Sequence, residues 1–160
     1  LEELLDDRDE LRAVTEDIVS TYLSGDIAGA WGKFLASANI TLDDEAIAQW
    51  GTEPTAQAAA DELFFFAHTL RPSTYWLPDI ATLGNGRTRI VVGVGEASAG
   101  QTCVRTSQTL ADSLGLRLVT FPGDHVGFTT QVAAFADVLR SMLAESPSPS
   151  TADNDDEAHG

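Results

Sequence analysis

The chain has 160 residues, 43% of them apolar, which is enough for one domain with a sizeable core, and it carries a formal net charge of −16. Residues 1–62 hold 15 acidic and 3 basic groups, residues 63–144 hold 5 and 6, and the last 16 residues hold five acids and no base. An acidic chain without basic clusters is repelled by phosphate backbones and anionic leaflets, which excludes nucleic acid and membrane surfaces as partners.

The first apolar periodicity lies in residues 6–23, where Leu11, Val14, Ile18 and Tyr22 recur at helical spacing and acids occupy the other face. Those acids read as a solvated surface. Gly25 ends this helix, and Asp26 is placed to cap a second one that turns Ile27, Trp31, Phe34, Leu35 and Ala38 to one side. "TLDDEAIAQW" predicts a short third helix ended by Gly51. Pro54 opens a fourth, running to about Leu70, with Leu63, Phe66, Ala67 and Leu70 on its buried stripe. Phe64 and Phe65 widen that stripe, so this helix is expected to touch neighbours on two sides. Residues 1–70 thus form an acidic helical region, in which His68 and Trp31 read as packing residues, as do Trp50 and, just beyond, Tyr75 and Trp76.

A turn-rich connection with a helical piece at 79–83 leads to a different pattern. "TRIVVGVG" is a continuous β-branched run, the pattern of a parallel strand covered on both faces. Residues 98–114 read as a helix with Cys103, Leu110 and Leu114 inward, ended by Gly115. "LRLVTF" is a second strand, and 130–144 a final helix with Val132, Phe135, Val138, Leu139 and Met142 inward. Strand–helix–strand predicts two parallel strands. The fold class is therefore α/β, with residues 71–144 as a βαβα unit and 145–160, rich in Pro, Ser and acids, as a disordered tail. Two strands are too few for a covered sheet, so further strands are expected from polypeptide outside these residues or from a homo-oligomeric partner.

Chemistry in parallel sheets gathers at the carboxyl ends of the strands. "GEASAG" follows the first strand and "PGDHVGF" the second, delivering Glu96 and His125 there. A dinucleotide fingerprint fails, because Ser98 stands where its third glycine belongs. A nucleophile elbow around Ser98 fails too, because Glu96 replaces the glycine that packs against neighbouring strands. Asp124 reads as a turn residue. Cys103, the only cysteine, excludes an internal disulfide and reads as a small buried thiol. Three scattered histidines without ligand spacing give no metal site, and no cofactor is expected. No apolar run approaches the ~20 residues of a membrane span and no signal segment opens the chain, which points to the cytoplasm.

The segment from about Phe64 to Leu143, with "LRPSTYWLPDIATL", "TRIVVGVGEASAG" and "FPGDHVGF", resembles the C-terminal half of α/β-hydrolase family proteins, and the acidic helices before it resemble a cap. The resemblance implies that Glu96 is the triad acid and His125 the base, acting on a small ester-like or apolar substrate without a cofactor. It also implies a nucleophile and oxyanion hole that these 160 residues lack, since no G-x-S-x-G occurs among them. By itself the chain would then be inactive. The other reading is a non-catalytic binding or interaction protein of the same fold.

Overall fold

The computed structural model describes residues 1–40 and 54–144. The expected helix at 41–50, Trp50 and the expected tail lie outside the described residues. After a 3₁₀ turn at Glu2–Leu4, helix α1 spans Arg8–Leu23 and α2 spans Ile27–Ala38. Helix α3 spans Ala56–Phe64, passes through a π-helical stretch at Phe65–Thr69, and ends in α4 at Leu70–Thr74. Then follow α5 (Ile80–Asn85), β1 (Val92–Gly95), α6 (Thr102–Ser113), β2 (Leu118–Phe121), the single turn α7 (Gly127–Thr130) and α8 (Val132–Ala144). The architecture is mixed α/β with a two-stranded parallel sheet, in which Val92 pairs with Leu118 and Gly95 with Phe121.

Local chemistry sets most of the boundaries. The Asp26 carboxylate accepts from the Gly29 amide at 2.9 Å, and the Asp79 carboxylate accepts from the Thr82 amide at the same distance. Both satisfy an otherwise orphaned amide of the first turn. The Thr55 hydroxyl, rather than Pro54, sets the start of α3, accepting from the Ala58 amide at 3.1 Å. Helix α6 ends in a Schellman motif, with Gly115 at φ +66° and the Leu116 amide donating to the Ala111 carbonyl at 2.8 Å.

The helical core is built on Ile18, Val19, Tyr22, Ala30, Phe66 and Leu70, with Trp31, Phe34 and Phe65 packed against it. The expected termination near Leu70 is corrected. The helix carries on to Thr74, through Pro72, because the Leu70 amide reaches back five residues to the Phe65 carbonyl and opens a wider turn. The consecutive Phe65 and Phe66 both pack on the core, Phe66 fully buried and Phe65 at its edge. Phe66 stacks on Tyr22 at 4.4 Å between centroids, and Phe65 stacks on Trp31 at 6.0 Å. Glu62 ties the three helices together, accepting from the Tyr22 hydroxyl at 3.0 Å and from the Trp31 indole at 2.8 Å.

Several expected stripes are displaced. On α1 the buried face runs through Thr15, Ile18, Val19 and Tyr22, and Val14 is exposed. Ile27, Leu63 and Phe64 are also exposed. The acidic face of α1 is not merely solvated: Glu16 takes a two-pronged bond from Arg71 at 2.7 Å, and Asp7 pairs with Arg105 at 2.7 Å. The Arg71 guanidinium, helped by the Tyr75 hydroxyl, holds the Glu16 carboxyl down at about 2.

The strands are shorter and less covered than their sequence suggests. Val92 is buried, but Val91 is exposed, and among the described helices only α6 lies closely along β1. Helix α8 buries no residue fully. Phe135, Val138 and Met142 are half-buried, whereas the expected inward Val132 and Leu139 are exposed. It is tied back by Arg89, whose guanidinium donates to the Met142 carbonyl. Among the described residues no helix is long and apolar enough to cross a membrane.

Glu62→Ala should lower stability by about 2 kcal/mol in urea denaturation, because it removes two hydrogen bonds beside the aromatic core. Glu62→Gln, which keeps one acceptor, should lose less.

Glu16 makes a second, pH-dependent contribution. Its carboxyl titrates lower in the folded chain than its usual 4.5, so its stabilisation is present above that value and is lost as pH falls toward about 2. Glu16→Gln should remove that component of the acid loss, seen in Tm measured from pH 6 to pH 2. Because the pair is solvent-exposed, the effect at neutral pH should not exceed about 1 kcal/mol.

Candidate functional site

Beyond the strand ends the two chains stay joined. The Glu96 amide donates to the Phe121 carbonyl at 2.9 Å and the Ala97 amide to the Gly123 carbonyl at 3.0 Å, so the loops after β1 and β2 run side by side. The approach is tight enough to require glycine. A Cβ on Gly95 would lie 2.5 Å from the Asp124 carbonyl oxygen, and Gly123 adopts φ +84° to turn the second loop.

These loops and α6 border a half-open cavity of about 250 Å³. His125 and Asp124 line it from the second loop, Ser98 from the first, and Cys103 and Ser107 from α6. Phe121, Phe128 and Phe135 also line it, with the Phe135 ring 4.7 Å from the Phe121 ring and 6.2 Å from the Phe128 ring. His125 and Phe128 are solvent-exposed and mark the mouth. A larger groove of about 520 Å³ lies between the first turn of the chain and α6, lined by Leu5, Val104 and Arg105. It holds no histidine, cysteine or serine, and its arginine is already paired with Asp7.

Glu96 and His125 both stand at the carboxyl edge of the sheet, on adjacent loops, and both are exposed. No hydrogen bond or ion pair joins them. The Glu96 carboxylate turns instead to the Gly123 amide, from which it accepts at 3.4 Å, and it is not among the residues lining the cavity. Asp124, which does line it, accepts from the Val126 amide at 2.9 Å and so serves as a turn residue.

Three side chains behave differently from their sequence reading. Cys103 is half-buried in the first turn of α6, its thiol 3.5 Å from the Gln101 side-chain oxygen, and it faces the cavity rather than a closed core. His68 is exposed, its ring 5.4 Å from Phe64. Trp76 is exposed, while Tyr75 donates to Glu16 at 2.8 Å.

Ser98 is fully buried, and its hydroxyl has no hydrogen-bond partner among the described residues. Nothing in its sequence surroundings marks it as buried. The aromatic lining was equally hidden, since Phe121, Phe128 and Phe135 belong to a strand, a turn and a helix that no single periodicity connects. Among the described residues no group of His, Cys, Asp and Glu is arranged to hold a metal ion.

No family model matches the chain, and no curated protein matches it.

Gly95→Ala should cost about 1–3 kcal/mol, because its methyl group must push the Asp124 backbone aside. Amide chemical shifts should move at residues 123–126 and stay in place in α1 and α2.

Proposed function

We propose that this chain forms part of an α/β-hydrolase site in which His125 is the general base and Glu96 its orienting carboxylate. The observation that carries the reading is the pairing of their loops at the carboxyl ends of two parallel strands, beside a cavity that His125 borders. Chain order supports it: a carboxylate after one strand, then a helix, then a histidine after the next.

In such a site the imidazole takes the hydroxyl proton of the nucleophile as the acyl bond forms, and returns it to the leaving group. A carboxylate on its other nitrogen fixes the ring tautomer and balances the imidazolium charge. For Glu96 that role requires its side chain to swing from the Gly123 amide to the imidazole. The bond it gives up is long, at 3.4 Å, and therefore weak. The nucleophile and oxyanion donors come from polypeptide outside these 160 residues.

The open face of the sheet and α8, with Phe128, Val132 and Leu139 exposed, is where that polypeptide packs. The cytoplasm is the proposed compartment and a small, uncharged ester-like or apolar molecule the proposed substrate. A non-catalytic binding protein of the same architecture is the second reading. It is favoured by the present separation of Glu96 from His125.

The test is hydrolysis of p-nitrophenyl acetate by the 160 residues alone and by the same residues together with the polypeptide encoded upstream of Leu1. The short form should not exceed a buffer control, since oxyanion donors alone are worth roughly 10²–10³ in rate. The longer form should turn over, and His125→Ala in it should lower kcat/KM by about 10³-fold or more. Glu96→Gln should also lower it, while Asp124→Asn should leave it within a few-fold. The opposite pattern would move the carboxylate role to Asp124. Turnover by the short form that disappears in Ser98→Ala would place the nucleophile at Ser98, and an inactive longer form would leave the binding-protein reading.

A further inference from the structure

We infer that the cavity beneath His125 binds a small neutral molecule with a flat apolar body and one hydrogen-bond-accepting oxygen, held by the Ser98 hydroxyl. The inference rests on the site proposed above for its location and for what His125 would do to such a molecule. It adds the class of ligand and the residue that recognises it.

The first observation is Ser98 itself. A hydroxyl buried without a partner costs stability, and native chains rarely leave one in place. Ser98 is 0% exposed, its Oγ is unpartnered, and it lines the cavity. A ligand oxygen would satisfy it once the side chains packed over Oγ move aside, since that closed part of the wall leaves no room for a water-sized atom.

The α6 side of the cavity is lined by Cys103 and Ser107, and the Ser107 hydroxyl is a second possible donor to a ligand oxygen.

The ligand's body follows from the aromatic part of the lining. Phe121, Phe128 and Phe135 present ring surfaces with centroids 4.7 and 6.2 Å apart, which suits a planar ring or a short apolar chain. Size limits it as well. A dry cavity of ~150 Å³ holds benzene, so about 250 Å³ holds a benzene ring with a short carbonyl substituent. Charge limits it further: no lysine or arginine lines the cavity, Asp124 does, and the chain carries −16. A carboxylate or phosphate group would be repelled.

Acetophenone has these properties. Its near-isostere α-methylstyrene lacks the acceptor oxygen, and benzoate carries a charge. Binding of the three to the 160-residue chain is measured by saturation-transfer NMR titration. Location is read from alkylation of Cys103 by N-ethylmaleimide, which is unambiguous because Cys103 is the only cysteine and borders the cavity.

Acetophenone should bind about two- to tenfold more tightly than α-methylstyrene, the worth of one neutral hydrogen bond, and benzoate more weakly than either. Saturating acetophenone should slow Cys103 alkylation. Ser98→Ala should erase the advantage of acetophenone while leaving α-methylstyrene binding unchanged. Equal binding of acetophenone and α-methylstyrene to the unmodified chain would overturn the inference, even if Ser98→Ala failed to fold. So would binding that leaves the alkylation rate unchanged, tighter binding of benzoate, or no binding at all.

None of these measurements depends on turnover, so failure of the hydrolase reading is seen separately. Acetophenone would bind as described while the longer polypeptide stayed inactive on p-nitrophenyl acetate.

Discussion

The parallel ladder between β1 and β2 is the interaction on which the candidate site of this chain depends. It is only four residues long on each strand, yet it continues past the strand ends through the Glu96 and Ala97 amides. That continuation brings two loops of different sequence to one place, and Gly95 lets their backbones meet where any side chain would hold them apart. Without it His125, Asp124 and Ser98 would lie on separate turns with no shared cavity.

The helical layer is organised differently, around rings rather than a ladder. Phe66 stacks on Tyr22 and meets Trp31 edge-on at 5.0 Å, and Phe65 packs at the edge of the cluster. Stacked and edge-to-face arrangements match the quadrupoles of the rings as well as burying them. Glu62 closes the cluster by accepting from two of those aromatic side chains at once. The uneven charge along the chain is partly settled in space, because Arg71 and Arg105 from the second half reach Glu16 and Asp7 in the first.

The cavity shows how a site can be half legible. His125 is legible in the sequence through its place after the second strand, with Glu96 after the first, because a histidine in a turn is by itself more often structural. Their placement on neighbouring loops follows from the βαβ order alone. What that order does not give is side-chain direction: Glu96 bends to the Gly123 amide, and the residues that shape the cavity are instead Ser98, Cys103 and three phenylalanines from separate elements.

The sequence by itself determined the features that depend on residues within one turn of each other. These are the cap at Asp26 and the glycine stop at Gly115, and the order strand, helix, strand then made the pairing parallel. Only the tertiary structure decided what each face meets. It buried Ser98 and exposed Val14, Ile27, Leu63 and Val132, each an apolar residue at a periodic position. It also carried the fourth helix past Leu70, which the wider π-helical turn made possible. The physical reason is that hydrogen-bonded caps are satisfied by near neighbours in the chain, whereas burial is set by surfaces that distant segments bring, and periodicity records a helix's apolar side without recording its partner.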